Sequence, residues 1–143
     1  TIALVACFVA SNLGVGAAMA EQPAGPRTIA EQRWHSRVLL IFSGPGDKRL
    51  SQQHRIVSEA AAAMAERQLR TVAVVGDRVG GAADGAVALR RRYEVAADAF
   101  AAILIGKDGG EKLRAAEPIA AGTLFATIDA MPMRRDEIEA SPR

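Results

Sequence analysis

The run Val38-Leu39-Leu40-Ile41-Phe42 constrains this chain more than any other stretch. It has the length of a strand, it does not alternate with polar residues, and Ser43-Gly44-Pro45-Gly46 closes it. Such a run has to be covered on both faces, which places it inside a sheet layered between helices. Two further strands are expected. Residues 70–75 are rich in β-branched side chains and end at Gly76-Asp77, and residues 100–105 end at Gly106. Half of the residues are hydrophobic but only 4% are aromatic. The core therefore depends on these aliphatic strands, because alanine buries little area.

The segments between the runs have helical spacing. Asp47 can cap a helix reaching about Gln68, with Leu50, Ile56, Val57, Ala60, Ala61 and Met64 on one side. The stretch GDRVGGAADG reads as a loop, and residues 86–95 as a shorter helix carrying Leu89 and Tyr93. Gly106-Lys107-Asp108-Gly109-Gly110 supplies hairpin-turn chemistry, and residues 111–114 return as a strand. A last helix starts at Ala121 or Thr123, buries Leu124, Phe125 and Ile128, and is stopped by Pro132 after Met131, leaving a charged tail. The order β-α-β-α-β-β-α predicts an α/β fold, a thioredoxin-like mixed four-stranded sheet flanked by helices. Strands joined through helices are expected to pair parallel by right-handed crossovers, and the hairpin adds one antiparallel strand.

Residues 1–20 carry no charge and end in Ala18-Met19-Ala20, ahead of Glu21-Gln22-Pro23. This is the pattern of a secretory signal peptide with its cleavage site. A membrane anchor competes with that reading, although Ser11, Asn12 and several glycines dilute the run. So does a lipoprotein signal at Leu4-Val5-Ala6-Cys7, although the apolar stretch continues well past Cys7. Residues 21–33 read as a mobile polar lead-in, 34–138 as the folded domain with Trp34 anchoring its entry onto the sheet, and 139–143 as a tail. The expected location is the periplasm or the exterior, with no membrane span after cleavage.

Cys7 is the only cysteine. Once a signal peptide is removed, no disulfide, thiol nucleophile or thiolate ligand is left. A redox thioredoxin carries Cys-x-x-Cys at the start of its first helix, where the dipole lowers the thiol pKa. In FSGPGDKRL those places fall on Asp47 and Leu50, and no proline leads into Phe100. Thiol–disulfide exchange and cysteine-dependent peroxide reduction are excluded. The balance of 18 Lys and Arg against 16 Asp and Glu is nearly even and mixed along the chain, without the basic stripe nucleic acid demands.

The remaining candidates for chemistry each have a plain structural alternative. Asp47 is a helix cap or part of a ligand site at the free helix N–H groups. Lys107 and Asp108 in GKDGG lack the Gly-x-x-x-x-Gly-Lys-Ser/Thr order of a phosphate loop and read first as a turn. Asp129, Arg134 and Arg135, with Asp136 and Glu137, form either a solvated helix end or a rim recognising an acidic or peptide partner through an arginine fork. Met131 and Met133 with His35 or His54 suggest a soft copper site, but the histidines are distant in sequence and Met131 reads first as packing. No metal or cofactor is expected.

ILIGKDGGEKLR at 103–114 and LFATIDAMPMRRDEI at 124–138, with Trp34 ahead of RVLLIF and Gln53 in the first helix, resemble a family of domains of unknown function. That family (the P-DUDES domain) is thioredoxin- or peroxiredoxin-like in fold. It stands alone behind a signal peptide in bacteria and lies within secreted sushi-repeat matrix proteins in animals. The resemblance implies the fold and secretion, and no established activity. Two functions follow as expectations: a non-catalytic binding or interaction module for an envelope protein or small ligand, and an enzyme with a non-thiol site built from Asp47, Gln53, Lys107 and Arg134. Metal handling through the methionines is a third.

Overall fold

The computed structural model describes residues 25–142. The central apolar run forms β1 (Arg37–Ser43), and every residue of it is buried. Leu69–Val75 (β2) pairs parallel to it on one side, and Ala101–Ile105 (β4) pairs antiparallel on the other. Arg78–Gly80 (β3) and Glu111–Ala115 (β5) complete a five-stranded sheet in the order β3-β2-β1-β4-β5. The inner order β2-β1-β4-β5 is the thioredoxin-like arrangement expected from the sequence.

Alternation along β1 divides the core. Val38, Leu40 and Phe42 face one layer, which Leu89 and Tyr93 of α3 (Ala86–Tyr93) cover. Leu39 and Ile41 face the other layer, with Met64 of α2 (Ala61–Glu66) and Leu124 and Ile128 of α4 (Ala121–Asp129). Leu50 and Val57 of α1 (Lys48–Glu59) pack against the same layer. Among the described residues no helix is long and apolar enough to cross a membrane.

The structure corrects the sequence expectations in several places. The sheet has five strands rather than four, because Arg78–Gly80, read as loop, pairs antiparallel with β2 as an edge strand. This short return carries the chain back to the starting end of β2. There Gly81 sits at φ +88, and a Cβ on it would fall 2.5 Å from the Thr71 carbonyl oxygen. Helix α3 then climbs to the opposite end, so β4 descends antiparallel to β1 rather than parallel.

The helix expected to run to Gln68 breaks at Ala60, whose N–H is shared between the carbonyls of Ile56 and Val57. Pro132 does not leave a tail behind it: it is the first residue of a further helix, α5 (Pro132–Ala140). Its fixed φ and missing N–H suit that position. The lead-in is not free over its second half, since Ile29 and Gln32 are buried and the Ile29 N–H donates to Asp84 Oδ2 at 2.7 Å. Trp34 does not anchor onto the sheet. It is 56% exposed, at φ 68, under the guanidinium of Arg33 at 4.9 Å. The proposed signal peptide and Cys7 lie outside the described residues.

Candidate functional site

The sheet has two chemically different ends. At the end where β1 finishes, Asp47 caps α1 by accepting from the Arg49 N–H at 2.9 Å. Its second oxygen accepts from Arg49 Nη2 at 2.8 Å. The Arg49 guanidinium and backbone N–H hold the Asp47 carboxyl below the usual carboxylate range. Gln53, one turn further along, is fully buried. Its amide donates to the Ile119 carbonyl at 3.0 Å and accepts from the Ile119 N–H at 2.7 Å, tying α1 to the loop before α4. Both hydrogen-bonding functions of the side chain are thus committed within the fold.

The other end lies where β1 begins and β4 finishes, since Val38 pairs with Ile105. Arg37 opens β1 there with 0% exposure, and Lys107, two residues past β4, is 8% exposed. A cation is tolerated at such depth only with a partner. That partner is Glu137 of α5. Arg37 Nη2 and Nη1 donate to its two oxygens at 3.1 and 3.2 Å, and Lys107 Nζ donates to Oε1 at 2.6 Å. Arg134 Nη1 stands 3.6 Å from Oε2, so three cations converge on one carboxylate. Partial burial pushes the Glu137 carboxyl up, but Lys107 and Arg37 together outweigh this and hold it below the usual range. Lys107 also donates to the Gln68 amide oxygen, and Arg37 Nη1 to the Arg67 carbonyl at 2.8 Å.

The cluster continues sideways. Arg134, only 7% exposed, donates through Nη2 to Glu66 at 2.7 Å and through Nε to Asp129 at 3.4 Å. Arg67 grips Asp129 with two bonds of 3.0 and 2.8 Å and lies 4.5 Å over the Phe125 ring. Arg67 is the main cause holding the Asp129 carboxyl below its ordinary range. Arg135 and Asp136 are exposed.

Beside the cations lies a pocket of about 480 Å³. One wall is the β4–β5 turn, with Gly106, Lys107, Asp108 and Lys112, and Arg37 behind it. The facing wall is the α4–α5 junction, with Thr127, Ala130, Met131, Pro132 and Met133. GKDGG and DAMPM, with 18 residues between them in the sequence, thus form opposite sides of one cavity. Lys112 reaches across Gly106 to donate to Asp108 Oδ2 at 2.6 Å, and a Cβ on Gly106 would meet the lysine Cε at 2.6 Å. The lysine and the Gly110 N–H lower the Asp108 pKa. A larger depression of about 890 Å³ at the same end is reached by neither string.

Of the residues singled out from sequence, Lys107 and Asp108 line the pocket, Asp129 and Arg134 border it through the ion cluster, and Arg135 is exposed on α5. Asp47 and Gln53 are not part of it. Asp47 follows the far end of β1, so the four residues of the non-thiol enzyme site are not brought together. Met131 and Met133 do meet at the pocket, whereas His35 and His54 are exposed elsewhere. Among the described residues no group of three or more His, Cys, Asp or Glu is arranged to hold a metal ion. Sequence reasoning missed Arg37 and Lys112 and placed Glu137 in a charged cluster read either as a solvated helix end or as a recognition rim, not as the partner of a buried strand residue. A charge heading an unbroken apolar run was the available signal for Arg37.

A family model described as a domain of unknown function matches residues 28–137, from the buried lead-in to Glu137 itself. No curated protein matches the chain.

Proposed function

The chain belongs to the DUF4174 family, whose function is unknown, and from that premise we propose that it is an exported, non-catalytic binding module on a thioredoxin-like scaffold. The observation that carries this reading is the pocket between GKDGG and DAMPM, of a size usual for small-molecule sites and walled by cations and apolar side chains. Two further features support binding over catalysis. The places of a thioredoxin's thiols hold Asp47, spent on capping α1, and Leu50, packed against the core. Asp47, Asp108, Asp129 and Glu137 are all held below the ordinary carboxylate range, so none is poised to exchange protons near neutral pH. Kinship with the secreted matrix proteins of animals, expected from the same two strings, fits recognition at the cell envelope or outside it.

The test is a screen of small molecules against the whole protein by amide chemical shifts, repeated on Ala130→Trp. Ala130 is exposed and lines the pocket, so the indole fills the space without disturbing the core. Shifts clustered on the pocket walls and abolished in Ala130→Trp support the reading. Turnover of peroxide or of insulin disulfides by the protein overturns it.

A further inference from the structure

We infer that this pocket takes a small monocarboxylate with a compact apolar body, its carboxylate toward Arg37, Lys107 and Lys112. The inference rests on the pocket being the binding site proposed above. The pocket walls carry three cations against the single carboxylate of Asp108. Two of those cations, Arg37 and Lys107, already share Glu137, whose charge can balance only one of them. Arg37 has no exposure, so it acts on the pocket through its charge from behind the wall rather than by direct contact, and its buried Nε has no hydrogen-bond partner. Lys112 is a third donor on a flexible stem. It is held by Asp108 alone, in a half-exposed pair that a competing carboxylate can match.

The opposite wall sets the rest of the ligand. Ala130, Met131, Pro132 and Met133 offer no charged group, and thioether side chains adapt to a flat or branched apolar body. A bare phosphate leaves that wall uncovered, and a neutral apolar molecule leaves the cationic wall unanswered.

The experiment titrates the whole protein with benzoate, benzyl alcohol and inorganic phosphate at equal ionic strength, following amide shifts. The variants are Lys112→Gln and Ala130→Trp, both at positions outside the core. Benzoate is expected to saturate the pocket, with benzyl alcohol at least about tenfold weaker, as loss of a charge-assisted bond requires. Lys112→Gln should weaken benzoate about fivefold and leave benzyl alcohol unchanged. Ala130→Trp should remove both. Equal binding of benzoate and benzyl alcohol in the pocket overturns the carboxylate inference and leaves the binding-module reading intact. Phosphate binding as tightly as benzoate overturns the apolar body. If no probe shifts the pocket walls and Ala130→Trp changes nothing, this inference and the reading beneath it both fall.

Discussion

Arg37 and Glu137 stand a hundred positions apart in the chain, and their side chains meet in a two-pronged ion pair at 3.1 and 3.2 Å. Arg37 is the first residue of the central strand, and Glu137 lies on the last helix. The pair therefore closes the fold, fastening its C-terminal element under the beginning of its innermost strand. It also decides what the neighbouring pocket can be. Glu137 is engaged by Arg37 and Lys107, so of the three cations on the pocket wall only Lys112 is paired within the wall itself, through Asp108.

Removing the acid should be costly. Glu137→Ala strands a fully buried guanidinium, and breaking a buried pair costs about 3–5 kcal/mol. Since Glu137 is itself 26% exposed, water recovers part of this, and about 2–3 kcal/mol is expected. The double variant Arg37→Met with Glu137→Leu removes both partners, although it leaves Lys107 without its acid. It should recover at least half the loss. Urea unfolding of the wild type and the variants checks both figures, and a loss under about 1 kcal/mol for Glu137→Ala rules the closing role out.

Glu137 and the neighbouring Asp129 set an acid limb. The pKa values of Glu137 and Asp129 are lowered in the folded state, so the unfolded chain binds more protons than the folded one as the pH falls. Their contribution is complete above about pH 5, begins to fade near the unfolded pKa values of ~4, and is lost as the pH drops through the lowered folded values. Glu137→Gln, weaker at neutral pH, should show a shallower decline of urea midpoint between about pH 5 and 3. Parallel declines in the two proteins would contradict the assignment.

How much of this was legible follows from the physics of each feature. Strands β1 and β4 were, because coverage on both faces writes an unbroken apolar run that no helix of that length needs, and β2, buried only at alternate positions, was legible from its β-branched residues. Edge strand β3 was not: Arg-Val-Gly is too short to carry a pattern. The break at Ala60 lies in a run of four alanines, the best helix formers, so packing overrides local preference there. Pro132 ends some helices and begins others, and only the burial of Arg134 against Glu66 and Asp129 shows which. Half of the site was legible too, as the GKDGG and DAMPM strings. Their meeting was not, since it depends on a long-range pair to which a single sequence gives no register.

Gln53 makes a sharper test of the opposite end. Gln53→Leu keeps the volume but leaves the buried Ile119 N–H and carbonyl without partners, at a cost of about 2–4 kcal/mol. Binding at the pocket should survive, because Gln53 lies outside it. Thermal unfolding together with the benzoate titration separates the two effects, and weakened binding in a still-folded variant would place Gln53 in the site after all.

The thioredoxin-like layout can itself be put to the test at Asp47 and Leu50. They sit three residues apart at the start of α1, and residues so spaced in a helix bring their Cβ atoms to about 5–6 Å. That is close enough for a disulfide after a small adjustment of the first turn. Asp47→Cys with Leu50→Cys should therefore form an internal disulfide on mild oxidation, seen as the disappearance of both added thiols from the thiol titre. The helix N-terminus should also lower the thiol pKa of the first cysteine below the ordinary ~8.5. Loss of the Asp47 cap will cost about 1 kcal/mol, small enough to leave the domain folded. If both thiols stay free after oxidation while the protein remains folded, the first turn of α1 does not have the geometry of a redox thioredoxin. The likeness would then stop at the order of the strands.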